Sequence, residues 1–197
     1  MNATQGNAPQ VSAIRAAARR LLAPWDRPGS PGATLGLVRD GELVLQDSAG
    51  LASIELGVPI GDDTAFRIAS DSKQFTCAAI LLLAAEGRLS VADDIRAHLP
   101  DVPDLGAPIS LDQLMHNCSG LRDMLDLMRL GGADLAWPAT PDQLLAAIGR
   151  QRSLNFPPGT RFLYSNSGFL LLGRVWRRWQ ASRSAIFSNA ASWRRSA

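Results

Sequence analysis

One lysine stands among nineteen arginines in this 197-residue chain, and one tyrosine among its twelve aromatic residues. Cysteine and histidine are almost as scarce, with only Cys77, Cys118, His98 and His116. Two cysteines build no disulfide framework, and the four residues together match no metal-ligand spacing. No metal site is therefore read from them, and both thiols are expected to be buried. Long apolar runs are missing too: the longest, residues 77–85, falls far short of the roughly 20 that cross a bilayer. Residues 1–10 are polar, and the apolar segment 11–22 is interrupted by Ser12, Arg15, Arg19 and Arg20. That is not the charged-then-apolar order of a secretory leader, so a cytoplasmic chain without membrane contact is expected. Acid is absent from residues 176–197, which hold five arginines. The rest of the chain is net acidic, so the formal charge of +2 is no sign of a nucleic-acid surface.

The single lysine, Lys73, is informative because arginine serves every other positive position. Arginine stays protonated, whereas lysine can lose its proton near neutral pH when its surroundings favour it. A lone surface lysine is the plain alternative.

Residues 11–22 have helical spacing, with Val11, Ile14, Ala18, Leu21 and Leu22 on one side. Prolines 24, 28 and 31 end that pattern. Residues 33–38 and 42–49 read as two strands around Asp40-Gly41, a tight-turn signal. Residues 50–68 are turn-rich. A helix is expected over 70–86, with Gly87 as its left-handed cap. Ser90 is expected to cap a short helix ended by Pro100. Ser110 with Gln113, and Thr140 with Gln143 behind Pro141, form two capping boxes. Pro157-Pro158-Gly159 is a break before Tyr164-Ser165-Asn166, and an apolar helix begins at Gly168. Two strands followed by helices suggest one edge of a sheet plus a helical insertion. A hairpin alone is marginal in water and needs further strands.

Ser70-Asp71-Ser72-Lys73 sets a hydroxyl and an amine one helical turn apart on one face. A serine hydroxyl is a weak nucleophile until a base takes its proton, and a neutral amine is such a base. Burial and the positive end of a helix both disfavour the ammonium form. The same helix start offers the Ser70 N–H to a developing oxyanion. Tyr164 can relay a proton, and the Asn166 amide can orient Lys73 and a substrate amide. A core tyrosine beside a turn asparagine is the alternative. A Ser-His-acid triad fits less well, because only His98 and His116 are available and no G-x-S-x-G elbow exists. His116 is expected to organise a helix end.

Three segments carry a resemblance. Residues 66–77 (FRIASDSKQFTC) are similar to the nucleophile segment of class C β-lactamases, DD-peptidases and related esterases. Residues 112–121 (DQLMHNCSGL) resemble the helix end of that penicillin-recognising superfamily, and residues 157–168 (PPGTRFLYSNSG) its Y-x-N segment. Within it, residues 73–77, 119–123 and 131–134 are most similar to bacterial D-aminopeptidases. The resemblance implies an α/β (α+β) sandwich of β-lactamase/transpeptidase type with a helical insertion. It implies an acyl-enzyme hydrolase in which Ser70 attacks, Lys73 accepts the proton and Tyr164 shuttles it. Asn166 would bind substrate, the substrates would be small peptides or amides with an N-terminal D-residue, and no metal or organic cofactor would be needed. The family's third motif, K-T-G or H-x-G on a later strand, has no match after Asn166. A catalytically silent remnant, a β-lactamase or esterase branch, and a binding or sensor module stay open beside the hydrolase.

Residues 1–175 thus read as the N-terminal portion of such a domain, and 176–197 as an aberrant basic tail without an apolar stripe. Back-translated with freely chosen codons and shifted by two nucleotides, the tail reads as an amphipathic stretch ending in Pro-Leu-Gly. The expectation is an out-of-frame tail, with the later strands missing and the 197-residue chain inactive and prone to aggregate.

Overall fold

The computed structural model describes residues 8–134 and 139–192, with side chains for 12–134 and 139–181. It divides into two units, Met1–Arg67 and Ile68–Ala197.

In the first unit, helix α1 (Ala8–Leu22) begins three residues earlier than its apolar spacing suggests. Arg19 and Arg20 lie in its last turn, where cations offset the negative helix end. Strands β1 (Ala33–Arg39) and β2 (Glu42–Ala49) form an antiparallel hairpin, with Ala33 opposite Ala49 and Arg39 opposite Glu42. Its turn residues, Asp40 (φ 53°) and Gly41 (φ 82°), are both left-handed, as a two-residue primed turn requires. Ala18 and Leu22 of α1 are buried, as is Leu45 of β2. The segment read as turn-rich holds a second small pair, β3 (Leu51–Ser53) and β4 (Val58–Pro59). Strands this short show no alternation for a sequence to reveal.

The second unit is helical among the described residues. A 3-10 turn, Ala69–Ser72, leads into α2 (Lys73–Ala85), and Gly87 (φ 66°) follows its end. Helix α3 (Ile95–His98) is capped by Asp94, whose carboxylate accepts from the Arg96 N–H, and not by Ser90. Ser90 instead closes the preceding turn: its N–H donates to Asp93, and its hydroxyl accepts from the Ala92 N–H. Helix α4 (Leu111–Met115) and helix α6 (Pro141–Gly149) each start with the complete capping box expected of Ser110/Gln113 and Thr140/Gln143. Helix α5 (Met124–Leu130) is capped by Asp123. Helix α7 (Asn166–Ser192) starts two residues before the expected Gly168.

Helix α7 is the centre of the packing and touches α2, α4 and α5. Leu171, Leu172 and Val175 are almost fully buried with Ile80, Leu111, Leu114 and Ile148. Each such side chain stabilises by about 1.5–3 kcal/mol on leaving water. Helix α7 runs through Val175 without a break, and Trp176 and Trp179 pack partly buried on the same core. An apolar stripe therefore continues past Val175, because residues 172, 175, 176 and 179 share one helical face. Residues 193–197, and the side chains of the tail from 182 on, lie outside the described residues. No helix among the described residues is long and apolar enough to cross a membrane. Cys77 and Cys118 are free thiols and half-buried rather than buried; burial pushes the Cys77 thiol up.

Candidate active site

The site is assembled wholly within the second unit, from the head of α2 and the head of α7. Ala69 holds a left-handed backbone (φ 46°), a conformation that disfavours any residue with a Cβ. It immediately precedes Ser70 in the 3-10 turn that precedes α2. From the next turn, Lys73 donates through Nζ to Ser70 Oγ at 2.9 Å. The Tyr164 hydroxyl lies 2.7 Å from the same Oγ. Lys73 Nζ also donates to Asn166 Oδ1 at 3.0 Å, and the Tyr164 hydroxyl reaches that oxygen at 3.4 Å. Lys73 Nζ sits 4.9 Å from the centre of the Tyr164 ring and 5.3 Å from that of Phe169, within range of cation–π attraction.

Ser70, Lys73, Tyr164 and Asn166, all singled out in the sequence, thus form one hydrogen-bonded cluster. Ser70 and Tyr164 are exposed and Lys73 is half-buried, so the cluster is open to solvent. The Lys73 amine beside the phenol, and then the Ser70 hydrogen bond, hold the Tyr164 hydroxyl below its ordinary pKa of 10.0.

Why Tyr164 and Asn166 arrive here is a matter of the loop between α4 and α5. Asn117 takes the left-handed conformation (φ 55°) just after α4. Its backbone oxygen accepts from the Leu163 N–H at 2.9 Å, and its Oδ1 accepts from the Ser165 N–H at 3.0 Å. The two residues flanking Tyr164 are therefore both tied to Asn117. Ser167, at 0 % exposure, donates from Oγ to the Arg122 carbonyl (2.7 Å) and accepts from the Met124 N–H (2.9 Å). Gly120 (φ 76°) lies so close to the incoming chain that a Cβ there would sit 2.2 Å from the Phe156 oxygen.

Asp123 is the site residue the sequence did not single out. Its Oδ2 accepts from both the backbone N–H and the side-chain Nδ2 of Asn166, the latter at 2.8 Å. Its Oδ1 accepts from the Leu125 and Asp126 N–H groups as the cap of α5. The available signal was an aspartate before the apolar run of α5, which reads as a cap and nothing more.

The histidines are engaged elsewhere: His98 pairs with Asp93 at 3.0 Å, and His116 with Asp112 at 3.2 Å at the end of α4. Among the described residues no group of three or more His, Cys, Asp or Glu side chains is placed to hold a metal.

Comparison with known proteins gives a consistent picture. A family model described as Beta-lactamase matches residues 14–185. The D-aminopeptidase of Brucella anthropi is 37% identical over 163 residues, covering 82% of this chain and 30% of the relative. Among solved structures, EstCE1, a hydrolase with promiscuous acyltransferase activity, superposes with a TM-score of 0.69 at 26% identity, over 87% of this chain and 48% of that one. A D-stereospecific amidohydrolase from Streptomyces sp. does so with a TM-score of 0.63 at 27% identity, over 83% and 48%. The chain spans less than a third of the length of the curated relatives it matches.

Proposed function

The chain belongs to the Beta-lactamase family, and from that premise we propose that its site is that of a serine hydrolase working through an acyl-enzyme on Ser70. The observation that carries this reading is the position of Ser70 Oγ, 2.9 Å from an amine and 2.7 Å from a phenol. Those are the distances at which a positioned base and a relay act. Ser70 Oγ forms a bond to the substrate carbonyl carbon while its proton passes to Lys73 Nζ. The oxyanion takes a hydrogen bond from the Ser70 N–H. Collapse breaks the carbon–nitrogen bond, and the leaving amine takes the proton back through Tyr164. Water then attacks the ester carbon and gives up its proton through Tyr164 to Lys73; the bond from Ser70 Oγ to that carbon breaks, Oγ takes the proton back from Lys73, and the free acid leaves. Asn166 orients Lys73 and the substrate amide.

The proposed substrates are small peptides or amides with an N-terminal D-residue; the likeness to a D-aminopeptidase and to a D-stereospecific amidohydrolase supports that class. Two free thiols favour a reducing, cytoplasmic setting. Residues 176–197, with five arginines and no acid, are in this reading the product of a shifted frame that replaces the natural continuation of α7. The nucleotide sequence beyond the Val175 codon tests that point, and an absence of family-like coding in the alternative frame defeats it.

The central experiment is reaction with a fluorophosphonate followed by peptide mass spectrometry. In the in-frame, longer protein an adduct on Ser70, absent after Lys73→Arg, is expected; labelling elsewhere or none there defeats the hydrolase reading. In the in-frame, longer protein D-alanine amide is expected to be cleaved faster than its L-isomer, and equal rates move the protein to another branch of the family.

A further inference from the structure

We propose that Asp123 is a positioning residue that fixes which end of the Asn166 amide faces Lys73, and so aims the lysine lone pair at Ser70. The inference rests on the hydrolase reading and deepens it. An asparagine side chain has a donor end and an acceptor end of nearly the same shape, and its surroundings choose between the two orientations. Here Oδ1 accepts from Lys73 Nζ at 3.0 Å, and Nδ2 donates to Asp123 Oδ2 at 2.8 Å.

Lys73 alone does not hold that choice through the reaction. As an ammonium it only donates, so it demands Oδ1. As the neutral amine that must receive the Ser70 proton, it has a lone pair that could accept from Nδ2 equally well. A flipped Asn166 would draw that lone pair to itself and leave an N–H pointing at Ser70 Oγ. A carboxylate only accepts, so Asp123 binds Nδ2 and never Oδ1, whatever the state of the lysine. The neutral lysine must then donate to Asn166 Oδ1, and its lone pair remains for Ser70 Oγ, 2.9 Å away. When the Ser70 O–H bond breaks, the proton forms its new bond to Nζ along that line.

Asp123 is itself immobilised. Oδ1 is held by two N–H groups at the head of α5, and the Asn166 backbone N–H shares Oδ2. The carboxylate faces four donors, and rotating it would break all four bonds.

The test is a charge swap in the full-length, in-frame protein. Asp123→Asn keeps the shape and the acceptor for the α5 cap but turns an N–H group toward Asn166. Phosphonylation of Ser70 by a fluorophosphonate, in which Oγ bonds phosphorus and fluoride leaves, is expected to slow by about 10²-fold, the low end for a mis-aimed general base. Adding Asn166→Asp to that variant supplies an oxygen for each side, one for the new amide and one for Lys73. It is expected to recover at least tenfold of the loss. Asn166→Asp alone sets two carboxylates against each other and is expected to react more slowly than the double variant. An unchanged rate in Asp123→Asn, or no recovery in the double variant, overturns the proposal and returns Asp123 to helix capping alone.

A second readout is independent of reactivity. The Asn166 Nδ2 protons, assigned by their loss in Asn166→Asp, are expected to keep their NMR shifts in Ser70→Ala and to move in Asp123→Asn. If Ser70 of the parent chain takes no label, the hydrolase reading falls, and these protons decide the positioning claim by themselves. Unmoved shifts in Asp123→Asn overturn it.

Discussion

Two serines on either side of Asn166 are expected to respond to the same substitution in opposite ways. Ser165 and Ser167 are both buried, at 3 % and 0 % exposure. Ser167 Oγ links the Arg122 carbonyl to the Met124 N–H, whereas Ser165 Oγ is buried without a hydrogen-bond partner among the described residues. Ser167→Ala therefore strands the buried Met124 N–H, while the Arg122 carbonyl keeps the hydrogen bond that Gln151 Nε2 donates to it at 3.1 Å. At about 1–3 kcal/mol for an unsatisfied buried group, the expected loss is about 1–3 kcal/mol. That is a large share of the roughly 5–15 kcal/mol by which a domain is stable. Ser165→Ala strands nothing, because the Ser165 N–H that bonds Asn117 Oδ1 is backbone and survives. It removes an unmatched hydroxyl and is expected to be neutral or stabilising by up to about 1–3 kcal/mol. Urea unfolding followed by tryptophan fluorescence reads the difference, since Trp176 and Trp179 lie against the core of this unit. A midpoint for Ser167→Ala equal to that of the parent, or a larger loss for Ser165→Ala, would refute the reasoning.

Lys73→Arg keeps a cation beside Tyr164 but removes the proton acceptor, so acylation of Ser70 should fall as far as in Ser70→Ala. Near-parental labelling in Lys73→Arg would show that Lys73 is not the base. Tyr164→Phe should cost about 10²–10⁴-fold in turnover of the in-frame protein, and a loss below tenfold would make the phenol dispensable. Because Tyr164 is the only tyrosine, phenolate absorbance reports it alone. It should ionise below 10.0 in the folded chain and move back up in Lys73→Met. Between the lowered value and 10.0 the unfolded chain holds more protons than the folded one, so this group adds stability as pH rises through that window. An unchanged titration in Lys73→Met would refute the assigned cause.

What the sequence made legible was local. Ser110/Gln113 and Thr140/Gln143 announce their helices because each capping box is complete within four residues. Asp40-Gly41 announces the hairpin for the same reason, and Ser70 and Lys73 meet because one helical turn separates them. Asp123 was not legible, since its partner is Asn166 and nothing in the spacing brings the two together. The start of α7 at Asn166 was missed although Ser165 before it is a customary cap residue; its Oγ makes no hydrogen bond among the described residues, and Asp123 receives the first N–H from across the loop. Ser90 misled because it and Asp93 close a turn of their own, leaving Asp94 to cap α3. Strands β3 and β4 hold three and two residues, too few for any periodicity.

Asn117 grips the chain on both sides of Tyr164 while leaving the tyrosine side chain itself unbound by that grip. The backbone of Tyr164 is in effect an axle held in two bearings, and the phenol is a crank that turns on it. Any travel of the hydroxyl between Ser70 and a departing amine is then rotation about side-chain bonds, with no swing of the surrounding loop. Such rotations take picoseconds to nanoseconds, against microseconds or longer for collective movements. A proton relay through Tyr164, as proposed above, would thereby be uncoupled from slow backbone motion, and viscosity or temperature changes that slow loops should leave that step untouched.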